Sequence, residues 1–88
     1  MSPSSDTVAV DSGAVWPADS MDVEEAVVAN WFVREGSVVA ADDVLCEIQI
    51  EKVSIDVPAP AAGEVVAVRV AENETFVRGD VLAEIRPE

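Results

Sequence analysis

The chain contains a single lysine, Lys52, in the run Ile48-Gln49-Ile50-Glu51-Lys52-Val53-Ser54-Ile55-Asp56-Val57. The remaining basic residues are all arginines: Arg34, Arg69, Arg78 and Arg86. A lysine amine is an ordinary target for acyl modification, whereas a guanidinium stays charged and donates hydrogen bonds. Apolar residues alternate on both sides of Glu51-Lys52, which places the amine at the tip of a β-hairpin. A lone amine at such a tip, near the middle of an acidic chain, is an address for covalent modification. The competing reading is a solvated hairpin lysine with no chemical role.

The other residues that could do chemistry are few. Histidine is absent, which removes the commonest general base and metal ligand. Cys46 falls on an inward-facing row of its strand, so a buried core thiol is expected rather than a redox centre. Asp42-Asp43 reads as a turn; paired carboxylates can also hold a cation. Gly36, Gly63 and Gly79 read as turn glycines. The sequence has no nucleophile–base pair and no phosphate-binding loop.

Composition narrows the classes further. With 88 residues the chain is one small domain, and a domain this short buries only about 60% of its unfolded surface. Valine and alanine dominate, and the aromatics are Trp16, Trp31, Phe32 and Phe76; β-branched residues favour strands. A net charge of −13 argues against nucleic acid and against anionic membrane surfaces. Partners should present positive rims, with attraction that weakens in salt. The same charge suits a cytoplasm of very high salt and equally an ordinary acidic domain surface. One cysteine rules out a disulfide framework within the chain. No apolar run reaches membrane-spanning length, and the N-terminus lacks the pattern of a secretory signal. The expectation is a cytoplasmic domain, monomeric in isolation.

The elements that must position Lys52 come from an internal repeat. Shifted by 37 positions, Val44-Leu45-Cys46-Glu47-Ile48 falls on Val81-Leu82-Ala83-Glu84-Ile85. In the same register Val28, Val33, Glu35 and Asp43 fall on Val65, Val70, Glu72 and Asp80 without a gap. Two copies are too few for a solenoid; they predict a pseudo-twofold domain whose halves bury each other's apolar faces. Each half has period 2. Val66, Val68 and Val70 form one row, Val44, Cys46, Ile48 and Ile50 another, and Val53, Ile55 and Val57 a third. Turn signals at Glu35-Gly36-Ser37, Asp42-Asp43, the segment 58–63, Glu72-Asn73-Glu74 and Arg78-Gly79-Asp80 separate seven or eight short strands. The acidic start of 22–34 could open a helix, but its residues favour a strand. Residues 1–12 read as a disordered tail, with structure beginning in a strand at Ala14-Val15-Trp16 that Pro17 ends. The folded unit is then 13–88, an all-β flattened barrel or sandwich of two four-stranded antiparallel sheets.

The Lys52 hairpin has an unusual turn. A two-residue connection normally uses Gly or Asn, because φ must be positive at one or both positions. Glu51-Lys52 supplies neither, so the backbone there is costly and points to a functional reason.

From Ala14 to Arg86 the chain resembles the lipoyl/biotinyl carrier-domain family, closest to the lipoyl domains of 2-oxoacid dehydrogenase acyltransferase components. Glu51-Lys52-Val53 resembles the family's Asp-Lys-Ala or Asp-Lys-Val turn. Val57-Pro58-Ala59-Pro60-Ala61-Ala62-Gly63 is similar to its Pro-Ser/Ala-Pro…Gly segment. Trp31-Phe32-Val33-Arg34-Glu35-Gly36 and Val81-Leu82-Ala83-Glu84-Ile85 resemble its Trp-x-x-x-x-Gly stretch and its closing strand. Biotin carriers place methionine on both sides of the lysine; here the flanks are Glu51 and Val53. Three positions depart from the lipoyl pattern. Glu51 stands for Asp, Gln49 stands where Glu is frequent, and the first loop lacks Leu-Gly near Ala18-Asp19-Ser20.

The resemblance implies a carrier rather than a catalyst. Lipoate would be joined covalently to Lys52, with Glu51, Val53 and Gln49 in the hairpin read by a lipoate-attaching enzyme. The arm would serve a thiamin-diphosphate 2-oxoacid decarboxylase, an acyltransferase core and a dihydrolipoyl dehydrogenase. Glu47, Glu51 and Asp56 would form a docking face. The chain would be a stand-alone carrier or a piece of an acyltransferase. The alternatives are a biotin carboxyl carrier, a glycine-cleavage carrier, which is longer and more helical, and an unmodified adaptor of the same fold.

Overall fold

A computed structural model describes residues 7–87. Its strands are β1 (Val8–Asp11), β2 (Glu25–Trp31), β3 (Val38–Val39), β4 (Val44–Ile50), β5 (Val53–Pro58), β6 (Gly63–Val68), β7 (Thr75–Val77) and β8 (Val81–Pro87). A single helical turn, α1 (Ser12–Val15), and a 3₁₀ turn at Ala18–Ser20 lie between β1 and β2. The strands form two four-stranded sheets packed as a sandwich, one ordered β5-β4-β2-β7 and the other β1-β8-β6-β3. All pairings are antiparallel. We call the first the hairpin sheet, because it carries Lys52, and the second the terminal sheet.

The repeat is realised as a strand exchange. Adding 37 to β2, β3 and β4 gives β6, β7 and β8 in register. Yet β3 pairs with β6, and β7 pairs with β2. Each half therefore lends its short strand to the other half's sheet, and neither sheet is complete without both. The loops repeat this reciprocity. Glu35 Oε2 accepts from Val68 N at 2.9 Å, and Glu72 Oε2 accepts from Trp31 N at 2.8 Å. Gly36 N donates to Val65 O, and Asn73 N donates to Val28 O, both at 2.7 Å. Asp43 caps Ala40 N at 2.9 Å, and Asp80 caps Val77 N at 3.0 Å. Asp42-Asp43 is thus a turn, with its second carboxylate committed to the backbone.

The core lies between the sheets. Val28, Leu45, Ile48, Ile50 and Val57 from the hairpin sheet meet Val10, Val65, Leu82, Ala83 and Ile85 from the terminal sheet. Cys46 is fully buried, as its row predicts. Burial pushes its thiol up to about 12, because a thiolate would be desolvated there. Trp31 packs on the core and donates through Nε1 to Val70 O at 2.7 Å, while Phe32 points outward. The segment 25–31 is a strand, not a helix.

Four expectations need correction. Folded structure begins at Val8, inside the stretch read as a tail, because β1 pairs with β8 along Val8↔Ile85 and Val10↔Ala83. Residues 1–6 lie outside the described residues. Ala14-Val15 belongs to a helical turn, not a strand; Asp11 N-caps it by accepting from Gly13 N at 2.8 Å. The row Val66-Val68-Val70 is broken by a bulge between Val65 and Ala67, which buries Val65 and leaves Val66 outside the core. A matching bulge sits between Val28 and Asn30. Finally, Gly63 is no turn residue. It opens β6, and a side chain there would overlap the Arg86 carbonyl of β8.

Candidate functional site

The hairpin that carries Lys52 is built from the longest continuous ladder of the hairpin sheet. β4 and β5 pair as Cys46↔Val57, Glu47↔Asp56, Ile48↔Ile55, Gln49↔Ser54 and Ile50↔Val53. Cys46, Ile48, Ile50 and Val57 anchor it in the core. With Ile50 buried and paired to Val53, Glu51 and Lys52 alone make the connection. Both are exposed. Among the described residues Lys52 has no ion pair or hydrogen bond, so the amine stands free in solvent. Such a group can be approached by another protein's active site and can carry a long substituent without disturbing the core.

The turn backbone is as costly as expected. Glu51 has φ 54°, in the left-handed region, whereas Lys52 has negative φ. Gln49 Nε2 donates to the Glu51 carbonyl at 3.1 Å. Sequence reasoning placed Gln49 beside the site as a residue read by an enzyme; this contact to the main chain was not visible in it. Val53 begins β5 and is 42% exposed, an apolar residue next to the lysine.

The first loop lies beside this hairpin. Asp22, Val23, Glu24 and Glu25 share a surface depression with Glu51. The loop is fastened at its far side. Trp16 Nε1 donates to Ser20 O at 2.9 Å, and its ring meets Phe76 edge-on at 6.2 Å. Arg78 donates through N to Glu24 O at 2.8 Å and through its guanidinium to Met21 O. These bonds hold a loop without Leu-Gly in place next to the hairpin.

Charge separates the two sheets. On the terminal sheet Arg69 pairs with Glu84 at 2.8 Å and Arg86 with Glu64 at 3.6 Å. On the hairpin sheet Glu47 and Asp56 face each other across the ladder, and among the described residues no cation pairs with them. Among the described residues, Glu47 Oε1 accepts from Asn30 Nδ2, at 3.2 Å. The surface below Lys52 is therefore a negative field that an incoming positive rim would meet. No group of three or more potential metal ligands occurs among the described residues.

The structure is thus a β-sandwich of exchanged halves that displays one lysine on a tight hairpin. The biotin/lipoyl family model, described as biotin-requiring enzyme, matches residues 15–85, and the chain belongs to that family. A dihydrolipoyllysine-residue acetyltransferase component of the pyruvate dehydrogenase complex from Staphylococcus aureus is 38% identical over 63 residues, 72% of this chain and 15% of that one. A dihydrolipoyllysine-residue succinyltransferase component of the 2-oxoglutarate dehydrogenase complex from Cupriavidus necator is 38% identical over 72 residues, 82% and 17% of the two chains. The chain thus spans about a sixth of the length of these curated relatives. Among solved structures, the lipoyl domain of the 2-oxoglutarate dehydrogenase complex from Azotobacter vinelandii superposes with TM-score 0.68 at 26% identity, covering 88% of this chain and 95% of that one. A single-chain, multi-domain long-chain acyl-CoA carboxylase contains the same fold, with TM-score 0.77 at 19% identity over all of this chain and 8% of its own.

Proposed function

We propose that this domain is a lipoyl carrier of a 2-oxoacid dehydrogenase-type complex, with lipoate joined as an amide to Lys52. The observation that carries the reading is the exposed two-residue turn Glu51-Lys52, which presents an amine without a partner among the described residues. Its flanks favour lipoate over biotin: Glu51 precedes the lysine, Val53 follows it, and neither Met1 nor Met21 lies in the hairpin. The two acyltransferase relatives and the lipoyl-domain neighbour support the same choice.

The residues present fit such a group. Lys52 offers its amine at an exposed tip, above a ladder whose Cys46, Ile48, Ile50 and Val57 lie in the core. Bound there, lipoate supplies a dithiolane at the end of a flexible arm, competent for acyl and electron transfer. Amide formation removes the only positive charge of the tip, leaving Glu51, Glu25 and Glu24 to dominate its field. Tethering keeps the arm at high effective concentration near each partner. The partners in this reading are a lipoate-attaching enzyme, a thiamin-diphosphate 2-oxoacid decarboxylase, an acyltransferase core and a dihydrolipoyl dehydrogenase.

The test is reductive acylation. The lipoylated domain is offered to pyruvate and 2-oxoglutarate decarboxylases with the labelled 2-oxoacid, and acyl label on the protein is counted. Label on the lipoylated wild type and none on Lys52→Arg is expected; no label with any decarboxylase contradicts the reading.

A further inference from the structure

Four of the left-handed backbone positions of this fold come in two pairs related by the repeat. Gly36 at φ 94° matches Asn73 at φ 68°, and Asp42 at φ 72° matches Gly79 at φ 98°. Glu51 at φ 54° is the fifth, and its repeat position, 88, lies outside the described residues. Each paired turn lies among main-chain bonds and side-chain caps that both halves share. Ser37 Oγ and Glu74 Oε1 accept from Arg34 N and Ala71 N in one pair. Asp43 and Asp80 cap the other. At Glu51 the residue is a glutamate, whose Cβ makes the left-handed region unfavourable. The side-chain bond to that turn is the one from Gln49 Nε2 to the Glu51 carbonyl, 3.1 Å long.

That carbonyl belongs to the peptide joining Glu51 to Lys52. Because the peptide is planar, holding its oxygen fixes the plane from which the Lys52 backbone departs. We propose that Gln49 is a positioning residue for modification of Lys52, acting through the Glu51 carbonyl. The inference rests on Lys52 being the attachment site. It gives a physical meaning to the departure of Gln49 from the glutamate frequent at this position. A carboxamide donates to a carbonyl; an ionised carboxylate can only accept. Gln49→Glu would thus turn an attraction into a repulsion at the same distance, although it makes the hairpin look more like the lipoyl pattern.

Four ¹⁵N-labelled proteins test this: wild type, Gln49→Glu, Gln49→Met, and the double variant Gln49→Glu with Glu51→Gly. Two quantities are read on each. One is the Glu51 amide–Hα coupling and Val53 amide exchange, which report the turn. The other is the initial rate of modification by a lipoate-attaching enzyme. Loss of one net hydrogen bond predicts Val53 exchange and modification rates altered by about three- to tenfold in both single variants, exchange faster and modification slower. Gln49→Glu should regain the wild-type turn below about pH 4, where the introduced carboxyl is protonated and donates. The double variant should regain the wild-type Val53 exchange, since glycine needs no support at positive φ. Slowed modification with an unchanged turn would mean that the enzyme reads Gln49 directly and would overturn the proposal, as would unchanged values of both. If wild type takes up no lipoate, the attachment-site reading fails and this proposal with it, and a changed turn in the single variants distinguishes that case by still showing that Gln49 holds the Glu51 carbonyl.

Discussion

The hairpin sheet and the terminal sheet share one strand order and one set of bulges, and they part company at one end. In the hairpin sheet, Glu51-Lys52 joins β4 to β5. At the pseudo-equivalent place in the terminal sheet, β8 runs out at Pro87 and β1 begins at Val8. One sheet holds the chain's outermost strands; the other turns the same geometry into a display. Charge follows the division. Arg69 and Arg86 neutralise carboxylates of the terminal sheet. The hairpin sheet leaves Glu47 and Asp56 face to face. The two sheets thus share one scaffold and differ in the Glu51-Lys52 turn and in the pairing of their surface charges.

The comparison breaks most severely at Gly63. Its counterpart in the repeat is Ala26, which is buried without conflict. Gly63→Ala drives a methyl into the Arg86 backbone and is expected to cost about 2–4 kcal/mol in denaturant unfolding. Ala26→Gly should cost only about 1 kcal/mol. Equal costs at the two positions would show that the β6–β8 approach is no tighter than its partner.

Cys46 sharpens the comparison next, since its counterpart is Ala83. The folded thiol titrates near 12, against an ordinary 9.0. A raised pKa keeps its contribution intact below pH 9 and loses it as pH rises toward 12, because only the unfolded chain ionises in that window. Stability should fall there by up to about 4 kcal/mol from this group. Cys46→Ala should show a correspondingly flatter alkaline limb; parallel limbs for the two proteins would contradict the burial argument. Native protein should also react slowly with thiol reagents at neutral pH.

The smallest effects concern charge. Arg69→Gln should destabilise by about 0.2–1 kcal/mol at low salt, since the pair is half exposed. Glu47→Gln should stabilise by a similar amount, because it relieves a like-charge cross-strand pair. Both should shrink in molar salt. Thermal unfolding at low and high ionic strength reads the two signs, and equal signs would remove the charge asymmetry from the account.

Much of this was legible in the sequence. The gap-free repeat gave the two sheets, and alternation around Glu51-Lys52 gave the hairpin and its exposed amine. What stayed hidden was non-local. β1 has four residues with Val10 alone buried, and it is a strand because β8 offers it an edge. Asp11 before Ser12-Gly13 was a capping signal that could have marked α1. The bulge at Val65 to Ala67 shifts the inward row, and period-2 counting cannot see an inserted residue. Gly63 looked like a turn glycine because close approach of two backbones leaves no local pattern. At the candidate site, residue types singled out Lys52, but the bond from Gln49 to Glu51 depends on a side chain folding back along its own strand.

The central claim is that Lys52 is the attachment point for lipoate. Incubation of wild type and Lys52→Arg with lipoate and a lipoate-attaching enzyme, in parallel with biotin and a biotin ligase, followed by intact and peptide mass measurement, tests it directly. The account predicts one lipoyl increment on wild type, mapped to Lys52, with none on a folded Lys52→Arg protein and no biotinyl increment on either. A biotinyl increment at Lys52, a lipoyl group on Lys52→Arg, or no increment at all would contradict it.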